Sequence, residues 1–170
     1  MAIEADVVIG QGGPTPAGVG RAGGRRLHAL TRSFTVGPAA GTLTISYTED
    51  GAPVRVEIRV SKQGSTLYGL LDVLSATLTR GLACGVPLAD LLHDVLGTRF
   101  DPAGMTEDAQ IGQATSVPDY VGRRLALDFL TFEQRQELGV LTREERTTGE
   151  QVVWPVLPEP APSLPGARRG

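Results

Sequence analysis

Thr42-Leu43-Thr44-Ile45-Ser46-Tyr47 and Val54-Arg55-Val56-Glu57-Ile58-Arg59-Val60, joined through Thr48-Glu49-Asp50-Gly51-Ala52-Pro53, decide the fold class. Leu43, Ile45 and Tyr47 alternate with Thr42, Thr44 and Ser46. Val54, Val56, Ile58 and Val60 alternate with Arg55, Glu57 and Arg59. A period of two sends one set of side chains to a core and the other to water, which is the pattern of half-buried strands. Glu49-Asp50-Gly51-Ala52 lies between the runs. Asp-Gly there signals a hairpin, because glycine accepts the positive φ that a tight turn requires. Phe34 and Val36 sit in a β-prone run upstream, so the reading is an antiparallel sheet of about three strands.

Downstream the period changes. Leu67, Leu70, Leu71, Leu74, Leu78 and Leu82 recur at helical spacing, with Ser65 placed to cap the start. Gly85 ends that segment and Pro87 opens the next, in which Leu88, Leu91, Leu92, Val95 and Leu96 share a face. A third helix is expected from near Ser116. Pro118 is tolerated there because first-turn amides lack intrahelical partners. Its apolar positions are Val121, Leu125, Leu127, Phe129 and Leu130. Thr131-Phe132-Glu133-Gln134 has the form of a capping box for a last short helix. Strands grouped before helices predict an α+β domain, with three to four helices packed on one face of the sheet.

The 170 residues suffice for one domain with tails. Residues 1–24 read as a glycine-rich flexible segment, 25–144 as the folded domain and 145–170 as a disordered tail. Pro155, Pro158, Pro160, Pro162 and Pro165 exclude a helix or central strand from that tail. A net charge of −3 offers no field for nucleic acid. The only cysteine, Cys84, excludes an internal disulfide and a zinc-thiolate cluster and points to a reducing, cytoplasmic setting. Met1–Asp6 lacks the basic and apolar regions of a secretory signal, and no apolar run reaches a membrane span.

Several constellations resemble sites and are outweighed. Asp90, His93 and Asp94 share a helical face, yet it is the face opposite Leu88, Leu91, Leu92 and Val95, which makes it a solvated stripe rather than a metal or acid-base site. Cys84, between two apolar segments, is expected to be a buried, inert thiol. Ala5–Pro14 has a strand leading to glycines, but Pro14 and Pro16 oppose the helix a dinucleotide fold needs. Arg123 and Arg124, like Arg21, Arg25 and Arg26, are expected on the solvated surface. Trp154-Pro155-Val156-Leu157-Pro158 has the form of an extended docking peptide, although a solvated tail is the simpler reading.

The most specific signal is Gly97-Thr98-Arg99-Phe100-Asp101-Pro102-Ala103-Gly104-Met105 with Ala114-Thr115-Ser116-Val117-Pro118-Asp119-Tyr120. It resembles the carboxy-terminal region of adenosylcobalamin-dependent (class II) ribonucleotide reductases, and the small TSCPD domain. Thr115, Ser116, Pro118 and Asp119 fit the latter's motif, and Val117 stands where it has cysteine. Arg25-Arg26, Lys62-Gln63-Gly64 after Val60, and Gly85-Val86-Pro87-Leu88 extend the resemblance over about residues 25 to 131. Arg123-Arg124 departs from the Arg-Glu pair common in the larger enzymes.

The resemblance implies the activity of a ribonucleoside-diphosphate reductase for the family. That reaction uses a cysteine thiyl radical and a cysteine pair oxidised to a disulfide, and one thiol cannot fill those roles. It therefore implies no catalytic residue, no metal and no independent catalysis for this chain, with adenosylcobalamin belonging only to the full-length enzymes. Arg99, Phe100, Thr115, Ser116 and Asp119 are the binding residues the motif implies, with an anion at the helix start as one ligand. The simpler role for the same residues is structural. Pro102 and Gly104 build a turn, Phe100 and Met105 plug the core, and Ser116 and Asp119 cap a helix. The expected function is accessory or regulatory to ribonucleotide reduction, in contact with a reductase catalytic chain. A ligand-binding or structural module outside the pathway, and a subunit of a split reductase, are the alternatives. Two exposed sheet edges would also permit a homo-oligomer. No nucleic-acid or membrane partner is expected.

Overall fold

The computed structural model describes residues 2–7, 27–60 and 65–148. The alternating runs form β2 (Leu27–Val36), β3 (Ala39–Tyr47) and β4 (Pro53–Val60), the three strands expected. β1 (Ala2–Val7), within the stretch 1–24, adds a fourth strand, and all pair antiparallel in the order β1-β2-β3-β4. Gly51 takes φ +82° in the β3–β4 turn. Gly37 takes φ +53° ahead of Pro38 and closes β2 on β3, the glycine-first arrangement of a two-residue hairpin.

Register follows the alternation. Leu43 faces Arg32 and Ile58, and Ile45 faces Leu30 and Val56. Phe34, Val36, Leu43, Ile45, Val56, Ile58 and Val60 are buried on one face, where the helices pack. The opposite face is polar. There the Thr31 and Thr44 hydroxyls meet at 3.0 Å, and Arg59 lies 2.9 Å from Glu57.

α1 (Thr66–Ala83) begins where expected, with the Ser65 hydroxyl accepting from the Tyr68 amide. Its inner side brings Leu71 and Leu78 into the core. It also closes the outer edge of β4. The Val56 amide donates to Thr79 Oγ1 at 3.1 Å, and Thr79 donates back to the Val56 carbonyl at 3.2 Å. One turn away the Ile58 amide donates to Ser75 Oγ at 3.0 Å. Hydroxyls four residues apart on a helix thus satisfy edge amides two apart on a strand. This corrects the expectation of two exposed sheet edges, since the β4 edge is covered.

Cys84 is exposed at the end of α1, not buried. It follows Val73 and Arg80 around the outer side of the helix, away from the buried Leu71 and Leu78. α2 (Leu88–His93) buries Leu88 and Leu92 and leaves His93 and Asp94 in solvent, as expected of a polar stripe. Among the described residues, no group of His, Cys, Asp and Glu is placed to hold a metal ion.

α3 (Val117–Phe129) starts after Ser116, and α4 (Phe132–Glu137) starts with the complete Thr131–Gln134 capping box. Besides β1, a short ribbon and a last helix were not expected. A short ribbon pairs β5 (Gly104–Met105) with β6 (Gln113–Ala114). α5 (Arg143–Thr148) crosses the boundary drawn at residue 144. It is held by Arg135, whose two terminal nitrogens donate to Glu145 at 2.9 and 3.0 Å. That pairing, with the Thr142 amide, lowers the Glu145 carboxyl to about 2. The glycine-rich linker, the dinucleotide-like turn beyond Val7, Lys62-Gln63-Gly64 and the tail with Trp154 lie outside the described residues.

Candidate functional site

The turn and the start of α3 form one hydrogen-bonded unit. Ser116 has the extended backbone of an N-cap, and its hydroxyl accepts from the Asp119 amide at 3.1 Å. Thr98 Oγ1 lies 2.8 Å from Ser116 Oγ and donates to the Val95 carbonyl at 2.9 Å, which leaves Ser116 to donate between the two hydroxyls. The Thr115 hydroxyl donates to the Thr98 carbonyl at 2.8 Å. Asp119, fully buried, accepts from the Gly97 amide at 2.8 Å and the Thr115 amide at 3.0 Å. Arg123 Nε lies 3.0 Å from both its oxygens. Burial alone would raise the Asp119 pKa, but the Arg123 guanidinium and the two backbone amides hold it below the usual carboxylate value.

The next residue, Arg124, centres a second network. Its Nη2 and Nε donate to the two oxygens of Asp128 at 2.8 and 3.2 Å, a bidentate fork. Its Nη1 donates to Asp108 at 3.0 Å and to the Gln110 side-chain oxygen at 2.9 Å. Arg32 on β2 donates to Asp128 at 3.2 Å, and the Tyr120 hydroxyl donates to Asp108 at 3.2 Å. Two guanidiniums and two carboxylates therefore balance, and they tie α3 to the sheet and to the loop between β5 and β6. Burial opposes the charge on Arg124, and Asp128 and Asp108 outweigh it, so its pKa is raised. Burial, then Asp108, raises the Tyr120 hydroxyl.

These contacts correct the expectation that Arg123 and Arg124 are solvated surface: they are 7% and 4% exposed. The folded domain brings carboxylates to them, and a paired, hydrogen-bonded charge tolerates burial. The spacings Asp119–Arg123 and Arg124–Asp128, both i to i+4, were the readable signal of these pairs. Asp108 and Arg32 carried no such local sign.

Of the residues the motif implies, Thr115, Ser116 and Asp119 come together and direct their polar atoms to the protein's own groups. Arg99 and Phe100 point outward instead. Phe100 is 41% and Met105 66% exposed, so neither plugs the core as expected. Tyr120 takes that role, packed against Phe34 at 5.1 Å between ring centres. Beside the turn lies an open hollow of about 490 Å³, whose lining includes Pro38, Ala39, Val60, Leu67, Pro102 and Ala103. Its surface is mostly carbon.

The carboxylates of the two networks are engaged by guanidiniums and backbone amides, and Cys84 stands apart at the end of α1. The TSCPD domain model matches residues 19–129. The vitamin B12-dependent ribonucleotide reductase of Streptomyces avermitilis is 49% identical over 118 residues, 69% of this chain and 12% of that enzyme. The enzyme of the same name from Streptantibioticus cattleyicolor is 48% identical over 118 residues, 69% of this chain and 20% of the relative. That of Rhodopirellula baltica is 34% identical over 104 residues, 61% of this chain and 10% of the relative. No solved structure matches. The chain thus spans about an eighth of the Streptomyces avermitilis enzyme. The Ser116–Asp119 cap lies inside the matched stretch, on an α+β scaffold, and the chain belongs to the TSCPD domain family, as a domain related to ribonucleotide reductases.

Proposed function

We propose that this chain is an accessory module of ribonucleotide reduction that binds a reductase catalytic chain and modulates it without catalysing the reaction itself. One observation carries the reading: nearly half-identity to a vitamin B12-dependent reductase is confined to 12% of that enzyme, in a chain with a single cysteine. The chemistry of the site is consistent with it. Cys84 sits on the outer side of α1, remote in sequence from the buried networks, and no second thiol can form a disulfide with it inside the chain.

The hollow beside the turn does not favour a corrin cofactor. A hollow of about 490 Å³ suits a drug-sized ligand rather than a corrin with its nucleotide tail. Neither histidine lines it: His28 stacks on Tyr47, and His93 is exposed on α2. Adenosylcobalamin would then act on the catalytic chain alone.

The test mixes the purified chain with a vitamin B12-dependent reductase, once complete and once with its own matching segment deleted. Binding with altered turnover of the complete enzyme supports an accessory role. Turnover restored only in the deleted enzyme identifies a subunit that completes a split reductase. Neither binding nor a change in turnover would sink both readings and leave a module outside the pathway.

A further inference from the structure

The outer side of α1 is the least explained surface of the described residues. Leu70 is 55% and Val73 65% exposed, and Gly69, Ala76, Thr77, Arg80 and Ala83 join them in solvent along the 18-residue helix. The inner side closes the sheet edge through Ser75 and Thr79 and reaches the core through Leu71 and Leu78, with Leu67, Leu74 and Leu82 packed beside them, and the outer residues named above take no part in this among the described residues. Val73, ringed by the small residues Gly69, Ala76 and Ala83, forms with them an open strip of this side, while Leu70 and Thr77 lie farther round the helix.

We propose that a second copy of this chain covers it, as an antiparallel α1–α1 pair with its twofold axis at Ala76. The arrangement of charge selects this occupant. Asp72 lies four residues before Ala76 and Arg80 four residues after. Reversing the helix about Ala76 brings each Asp72 against Arg80 of the copy, so the face is complementary to itself, as a twofold interface must be. The same operation sets Gly69 against Ala83 of the copy, which permits close approach of the backbones. Val73 falls beside the aliphatic stem of the copy's Arg80, which can cover it while the guanidinium reaches Asp72. Among the described residues Asp72 makes a loose, exposed contact, 3.7 Å from Arg59. This interface is independent of the reductase-binding role, since it needs nothing but the chain itself.

Sedimentation equilibrium or light scattering on the full chain tests the pair. The expected mass is twice 17.9 kDa at high concentration, falling to one chain on dilution. Asp72→Lys and Arg80→Glu each place like charges across the axis and are expected to weaken dimerisation by about tenfold or more. The double variant exchanges the charges and recovers the dimer. Thermal melts of the two single variants at monomer concentrations should match the wild-type chain, because both side chains are exposed. In a Cys84→Ser background, Ala76→Cys is expected to form a disulfide with its own copy under mild oxidation, as only a residue on the axis would do readily. A chain that stays monomeric up to about 1 mM overturns the proposal. So does a dimer indifferent to the single reversals, or one that the double exchange fails to recover.

Discussion

α1 and α3 invert the usual relation between composition and burial. α1 is the more apolar helix, yet it buries only Leu71, Ser75 and Leu78 and leaves Leu70 and Val73 in water. α3 carries Asp119, Arg123 and Arg124, yet every residue from Val117 to Ala126 is buried. The difference lies in what each helix meets. α1 flanks a sheet edge, and a narrow inner side with two hydroxyls is enough to close it. α3 runs between the sheet, α2 and the loop joining β5 to β6, and those neighbours deliver Arg32, Asp108, Gln110 and the Gly97 amide to its charges. Countercharge decides whether a polar helix goes inside, and spare area decides whether an apolar one stays out.

Removing the countercharge from α3 should break the comparison most severely. Arg124→Ala leaves Asp108 and Asp128 without their shared guanidinium in a buried setting, a loss of about 3–5 kcal/mol that urea denaturation will report as a lower midpoint. Asp119→Asn should follow at about 3 kcal/mol near neutral pH, since it removes the carboxylate charge that faces buried Arg123. The folded Asp119 pKa lies below its ordinary 3.8, so its contribution is complete above about pH 4 and disappears as pH falls through the lower, folded value. The stability gap between wild type and Asp119→Asn should therefore narrow in acid below that point. A gap constant from pH 7 to acid would show that the ion pair does not account for the burial.

The effects should then shrink toward α1. Ser75→Ala strands the buried Ile58 amide and should cost about 1–3 kcal/mol, read in the same denaturation series. It should also raise hydrogen exchange at Ile58 above that at Val56, which keeps Thr79. Smallest of all, Met105→Ala should shift stability by no more than about 0.5 kcal/mol, because its side chain stands in solvent. A large loss there would mean that the turn is packed more tightly than its 66% exposure indicates.

Much of the candidate site was legible because its signals are local. Ser116 before an apolar-periodic segment, with Asp119 three residues on, specifies a cap through bonds that span three residues. The capping box at Thr131 and the Asp50-Gly51 turn are of the same kind. Phe100 and Met105 misled for a physical reason. Their apolarity suggested the core, but Gly104, with φ +139°, and the pairing of β5 with β6 set the backbone direction there, and Tyr120 already fills the space against Phe34. Arg124 misled in the opposite sense, because Asp108 lies 16 residues away in the chain.

By itself the sequence determined the backbone plan: which segments alternate with period two, which turn helical, where each helix is capped, and which family the ordered motifs resemble. These depend on interactions among residues a few positions apart. Only the tertiary structure decided which charges are inside, which apolar side chains are outside, and which sheet edge is closed. Those outcomes rest on pairs such as Arg32 with Asp128, 96 residues apart, and Ile58 with Ser75, 17 apart, whose meeting is set by packing rather than by neighbourhood in the chain.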